Sequence, residues 1–204
     1  MDSPRSLKFI NELADYFNSL PGVGKKTAQR YALQLLKQDD DFLQGFGKTL
    51  SELKSKIHEC KSCHNISDEP ICNICSSPTR NNSLVCIVED VRDVLAIENT
   101  HQFNGKFHVL GGVISPMDGV GPSDLNIDSL VERIKNNTEI KEVLLALRIT
   151  MEGDTTNFFL YKKLKGLSVK ITTIARGVSF GEQIEYTDEV TLAKSIINRV
   201  PYEI

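Results

Sequence analysis

The 204 residues carry 24 basic against 27 acidic side chains, a formal net charge of -3, with 40% hydrophobic and 25% charged residues. That mix is enough to bury an ordinary core in one or two domains, and it excludes a protein that holds polyanions by being basic all over. No run of about 18 apolar residues occurs, and no basic segment followed by an apolar one stands at Met1, so neither a membrane span nor a secretory leader is expected and the compartment expected is the cytosol.

In chain order, Leu7, Ile10, Ala14 and Phe17 recur at helical spacing and Pro4 suits a first helical turn, so residues 4–17 are expected as an amphipathic helix. The helix runs into Leu20-Pro21-Gly22-Val23-Gly24-Lys25-Lys26-Thr27, where two glycines permit a tight turn that most side chains would block. A second helix follows, with Ala28, Tyr31, Ala32, Leu35 and Leu36 as an apolar stripe and Lys26, Arg30 and Lys37 opposite. Between Ser19 and Gln38 there are basic residues and no acidic one, a local patch suited to a polyanion. At a helix N-terminus the amides of Gly22, Gly24 and Lys25 can donate to a phosphate, while Lys26 and Arg30 add charge without reading bases. Such binding is independent of base sequence and weakens with salt. A nucleotide P-loop does not fit: its first glycine would fall at Ser19, and Lys26 stands where the motif needs Ser or Thr. A third helix is expected over residues 39–57, with acidic residues at its start and Phe42, Phe46, Leu50, Leu53 and Ile57 packing on the first two helices.

Next comes Cys60-Lys61-Ser62-Cys63, eight further residues, then Cys72-Asn73-Ile74-Cys75. Two Cys-x-x-Cys pairs on one short segment can aim four thiolates at one point about 2.3 Å from each, a closed tetrahedron that suits structural zinc and leaves no open position for catalysis. Unlinked surface thiols and disulfides are the alternatives, and nothing marks the chain as secreted. His64 is expected as a solvated neighbour of the ligands. The loop is too short and polar to bury a core, so metal would supply much of its folding free energy and fix the angle between what flanks it. Cys86, inside Leu84-Val85-Cys86-Ile87-Val88, is expected as a buried inert thiol.

A domain boundary is expected near Asn81. Beyond it, strand-like runs at 84–88, 107–110, 143–147 and 169–174 alternate with helical patterns at 91–97, 127–134 and 155–164, which implies an open parallel sheet. The stretch from Gly111-Gly112 through Pro116, Gly119, Gly121 and Pro122 is expected as a mobile lid, and a last helix at 188–199. Glu89 follows the first strand of the sheet and Glu152 with Asp154 follows the third, so all three belong to the carboxyl edge where such sheets place their sites. Converging there, they could hold Mg²⁺.

Residues 20–28 resemble the helix-hairpin-helix motif of DNA-binding repair proteins. Glu89 with Glu152-Gly153-Asp154 resembles a Toprim domain, the fold shared by topoisomerases and bacterial primases, in which a first-strand Glu and an Asp-x-Asp pair bind metal. In this order, with the four cysteines between them, the modules resemble the bacterial RecR family of recombination proteins over nearly the whole chain. The likeness extends to Val109-Leu110-Gly111-Gly112, Ser115-Pro116-Met117-Asp118-Gly119, Glu152-Gly153-Asp154-Thr155-Thr156, Ala175-Arg176-Gly177 and Glu185-Tyr186-Thr187-Asp188-Glu189. It departs at Arg148-Ile149-Thr150, where the family more often has Asn-Pro-Thr, and at Gly181-Glu182-Gln183, where a second glycine is common.

The resemblance implies an α/β fold with an N-terminal helical module. Its parts would be a helix-hairpin-helix at 1–57, a four-cysteine zinc finger at 58–80, an open parallel-sheet Toprim domain at 81–180, and a C-terminal segment with a helix at 181–204. It implies a DNA-binding mediator of recombinational repair, not itself an enzyme, assembled as a homo-tetrameric ring that encloses duplex DNA. Such chains associate with RecO and RecF and help load RecA onto single strands, in the cytoplasm at the nucleoid. Lys25, Lys26 and Arg30 would face the duplex, Cys60, Cys63, Cys72 and Cys75 would hold zinc, and Glu89, Glu152 and Asp154 would serve Mg²⁺ or partner contacts. The competing expectation is a Mg-dependent Toprim nuclease or nucleotidyl-transfer enzyme.

Overall fold

Ala14 on α1 (Lys8–Asn18) and Ala28 and Ala32 on α2 (Lys25–Leu35) are the buried seam of the N-terminal part of the chain. Side chains of methyl size let two helices approach closely, and Ile10, Leu13, Phe17 and Val23 close the seam at its margins. The turn between them carries Gly22 at φ +78°, a left-handed conformation that favours glycine, and the Val23 amide donates to the Leu20 carbonyl at 3.1 Å. The apolar stripe of α2 is narrower than its spacing implies. Tyr31 sets its ring edge against Phe17 at 5.7 Å and stays half-exposed, and Leu36 is exposed.

The computed structural model describes residues 7–175, 177–178, 181 and 183–201; Pro4, Arg176 and Glu182, on which expectations above rest, lie outside them. Two compact units divide the chain, Met1–Ile57 and His58–Ile204. Completing the first is α3 (Asp40–Lys56), where Asp39 Oδ1 accepts from the Phe42 amide at 2.8 Å as a helix cap. Contrary to expectation, α3 buries none of its residues and contributes nothing to the α1–α2 seam. That seam is already closed by alanines, Phe17 and Val23, so Phe42, Phe46, Leu50 and Leu53 remain exposed.

The second unit begins with a short antiparallel pair, β1 (His58–Glu59) and β2 (Ile66–Ser67), and one turn of helix, α4 (Asn73–Ser76). Then come β3 (Leu84–Val88), α5 (Val91–Glu98), β4 (Lys106–Val109), α6 (Ile127–Asn136), β5 (Glu142–Ala146), α7 (Met151–Leu164), β6 (Lys170–Thr173) and α8 (Glu189–Ile197). The four longer strands pair in the order β4-β3-β5-β6, every neighbour parallel, with Val88 level with both Val109 and Ala146. Alternation along the strands sorts two cores. Val85, Ile87, Val143 and Leu145 pack with Leu130 and Ile134 of α6 and Leu160 and Leu164 of α7. On the other face Cys86, Val88, Phe107 and Val109 pack with Val94 of α5, Ile74 and the four paired cysteines.

The cysteine segment therefore shares the sheet's core. The Val109 amide donates to the Cys63 carbonyl at 2.8 Å and Lys106 Nζ to the Cys75 carbonyl at 2.9 Å, so the edge strand pins the segment from two sides. Cys86 is fully buried, and burial pushes its thiol up to about 12, as an inert core thiol requires. The glycine-rich loop after β4 is tied down too. Ser115 and Val120 exchange backbone hydrogen bonds at 3.0 and 2.9 Å, the Ile114 amide donates to Thr156 Oγ1 at 2.8 Å, and Val113 and Ile114 are buried. Among the described residues no helix is long and apolar enough to cross a membrane.

Candidate functional site

In the hairpin, Gly24 is the N-cap of α2, extended at φ -80° and ψ 164°, and its carbonyl accepts from the Ala28 amide at 2.9 Å. No side chain caps this end and no acidic residue stands in the first turn, so the free amides and the positive end of the helix are not neutralised locally. Lys26, Arg30 and Lys37 line one groove of about 420 Å³ together with Gln29, Leu33 and Gln34. Lys25 falls elsewhere, in a recess lined by Asn11, Asp15, Asn18 and Gln29. The structure thus groups Lys26 with Arg30 and sets Lys25 apart. Charge patterning alone does not single out Gln29 and Gln34, although Gln34 follows Lys26 and Arg30 at a spacing of four.

The two cysteine pairs arrive on different local frames. Cys60 and Cys63 flank the turn between β1 and β2, where the Cys60 amide donates to the Asn65 carbonyl at 2.7 Å and the His64 amide to the Cys60 carbonyl at 2.9 Å. Cys72 is the N-cap of α4 and Cys75 lies within it. All four are buried, and their sulfurs lie within 4.8 Å of one another, Cys63 Sγ and Cys72 Sγ at 3.5 Å. Sulfurs each about 2.3 Å from a tetrahedral zinc would stand roughly 3.8 Å apart, so the set fits that ion. The Cys72 amide donates to Cys60 Sγ at 3.3 Å, the kind of contact that favours thiolate.

The thiols also show why a cation belongs there. The hydrogen bond shared with Cys75, and then burial, hold Cys63 far above its ordinary range, and burial raises Cys72. That same bond, helped by Arg133, draws Cys75 down to about 5. Crowded buried thiols resist ionising together, and a divalent ion supplies the charge that lets them do so. His64 is not the solvated neighbour expected. It adopts φ +61°, pairs with Glu59 through Nδ1, places Nε2 2.8 Å from Ser129 Oγ, and meets His108 edge-on at 5.0 Å. Burial takes the His108 imidazole down to about 3, so it stays neutral with Nε2 donating to the Asn126 carbonyl at 2.8 Å.

The carboxylates do not converge. Glu89 stands at the end of β3, but its carboxylate is gripped by the Arg148 guanidinium through Nε and Nη2. Glu152 and Asp154 lie in the first turn of α7, which begins one turn before the expected 155 because Thr150 caps it, its hydroxyl accepting from the Gly153 amide at 3.2 Å. The backbone amide of Glu152, then the Thr150 hydroxyl, hold the Glu152 carboxyl below its usual range. Asp154 has Lys194 Nζ at 3.8 Å. A cavity of about 410 Å³ at this edge is lined by Glu89, Gly112, Ser115, Asp118, Arg148 and Glu152, among others, but not by Asp154. Among the described residues the four cysteines are the one group of His, Cys, Asp or Glu whose ligand atoms come together. Of the three carboxylates expected at this edge, Glu89 and Glu152 line one cavity and Asp154 does not, and Glu89 is held by a guanidinium. Arg148 is visible in the sequence as a departure from the family pattern, but its role is not legible there.

A phosphate-ready helical hairpin, a four-thiolate metal site and a parallel sheet with an acidic edge define a modular class of protein. Family models match it piece by piece: RecR helix-hairpin-helix at residues 10–54, the RecR four-cysteine zinc finger domain at 57–77, Toprim domain at 83–175 and RecR C-terminal at 177–200. The recombination protein RecR of Parabacteroides distasonis is 56% identical over 195 residues, covering 96% of this chain and 91% of that one. Those of Phocaeicola vulgatus and Porphyromonas gingivalis are 60% and 54% identical, covering 90% and 97% of this chain and 89% and 95% of theirs. The chain belongs to the RecR family of recombination proteins.

Proposed function

We propose that this chain is a DNA-binding mediator of recombinational repair that works by gripping nucleic acid, not by making or breaking its bonds. The reading is carried by one observation: an α2 N-terminus with no side-chain cap and no acidic residue in its first turn, from which a single groove lined by Lys26, Arg30 and Lys37 runs along the helix. The amides of Gly22, Gly24 and Lys25 would take a backbone phosphate, the lysines and arginine would neutralise its neighbours, and no base would be read. Lys25, on the other flank, would meet the opposite side of the same phosphate run. Zinc on Cys60, Cys63, Cys72 and Cys75 has a structural part, since four thiolates leave no open coordination position.

In the same reading the chain works as a homo-oligomeric clamp, a ring of four, with RecO and RecF in loading RecA onto single strands, in the cytoplasm at the nucleoid. The apolar face of α3, with Phe42, Leu50 and Leu53 each about half exposed, supports self-association. The domain limits that go with it are 1–57, 58–80, 81–180 and 181–204. The nuclease reading would rest on Glu89, Asp118 and Glu152, which line one cavity, but the carboxylate of Glu89 is taken by Arg148.

The test is fluorescence anisotropy on a labelled duplex of arbitrary sequence across a salt series. Wild-type affinity is expected to fall log-linearly with salt, and Lys26→Glu with Arg30→Glu to lose most of the binding and reduce the slope by about 2, near one per lost phosphate contact. Unchanged affinity and slope in the double variant would defeat the reading.

A further inference from the structure

We infer that Arg148 is the resident cation of the acidic cavity at the carboxyl edge of the sheet, and that it closes this edge to divalent metal ions. The inference goes beyond the DNA-binding reading and does not depend on it. Glu89 is the key ligand any metal here would need, and its side chain is only 13% exposed. A carboxylate so far out of water requires a partner, and Arg148 supplies it through two guanidinium nitrogens, one to each carboxylate oxygen. Mg²⁺ asks for near-octahedral oxygens at about 2.0–2.1 Å, and a forked guanidinium takes the lone pairs such an ion would use.

The backbone is built to hold this arrangement. Val88 and Ala146 are level on β3 and β5, so the chain that leaves β5 toward Arg148 runs alongside the chain that leaves β3 at Glu89. The Arg148 carbonyl is overlain by the first turn of α7, where a Cβ at Gly153 would come within 1.9 Å of its oxygen. The remaining cavity carboxylates are engaged as well. Asp118 accepts from the Ser115 hydroxyl at 2.6 Å, and Glu152 is held by the Thr150 hydroxyl and its own amide. Among the described residues three acidic side chains therefore line one cavity with a single positive charge, the half-exposed Arg148, and removing that charge should turn a closed edge into an open metal site.

Mn²⁺ binding, followed by the loss of its free-ion electron paramagnetic resonance signal on the zinc-loaded full chain, tests this. Wild type is expected to show no saturable Mn²⁺ binding in the millimolar range. Arg148→Asn is expected to bind Mn²⁺ about tenfold more tightly or better, since it removes an opposing unit charge within contact distance. Arg148→Asn with Glu89→Gln is expected to lose the gain. Zinc content and the denaturation midpoint report whether each variant is folded, and Arg148→Gln serves as a second variant if the Asn form is not. Saturable Mn²⁺ binding by wild type, no gain in a folded Arg148 variant, or a gain that survives Glu89→Gln overturns the assignment. Duplex affinity is a separate readout, so failure here is distinguishable from failure of the DNA-binding reading.

Discussion

The cysteine segment and the carboxylate edge belong to the same unit and both offer metal-type ligands, yet they are assembled by different routes. The thiols come in two Cys-x-x-Cys pairs, each fixed by one turn of backbone, and two short frames need only be held side by side by β4. The carboxylates come from the end of one strand and the first turn of a helix that follows another, with Arg148 entering between them. Local spacing delivers ligands reliably. Ligands gathered from separate elements depend on every side chain that shares the gap, and one arginine is enough to change the outcome.

The largest effect that bears on this contrast is expected at the thiols. Cys60→Ser should abolish stoichiometric zinc and lower the unfolding midpoint of the His58–Ile204 unit by more than any substitution at the carboxylate edge. Structural zinc sites hold about 10–16 kcal/mol of apparent binding energy, part of which the shared core with Val94 and Phe107 offsets. Zinc assay and thermal melting check it, and a metal-free variant as stable as wild type would remove the structural role.

At the other region the expected ceiling is lower. Gly153→Ala pushes a methyl against the Arg148 carbonyl, a backbone group that cannot swing aside, and is expected to cost about 1–3 kcal/mol in denaturant unfolding. A neutral outcome would mean that α7 can back away and that Arg148 is not held from behind. Smaller still, Thr150→Ala removes the cap of α7 and is expected to cost about 1 kcal/mol. Thr150→Ser, which keeps the hydroxyl, should recover most of it, and a Ser variant as weak as Ala would assign the loss to packing.

Legibility in the sequence follows the same division. The strand runs can be read to within a residue or two, because β-branched apolar stretches such as Leu84–Val88 have few other ways to be buried. The cysteine spacing names its own chemistry. Less can be read where tertiary context decides. Spacing places the start of α7 late because Gly153 is a poor helix former that hides the Thr150 cap, and the structure needs that glycine for close approach to Arg148. The α3 face looks like core on spacing alone, which cannot say whether a counter-surface exists in the same unit. The cysteine segment is expected to lack a core because its own residues are few, whereas it borrows one from β3, β4 and α5. Spacing gives α2 a basic face, but only the fold separates Lys25 from Lys26.

Equilibrium dialysis of the wild-type chain against zinc and manganese together, followed by elemental analysis per chain, puts both regions to one test. One zinc and no manganese per chain is the expected result, with the zinc lost in Cys60→Ser. A chain that keeps manganese, or that takes up no zinc, contradicts the account of a thiolate site that needs its metal beside a carboxylate edge that has already been given its cation.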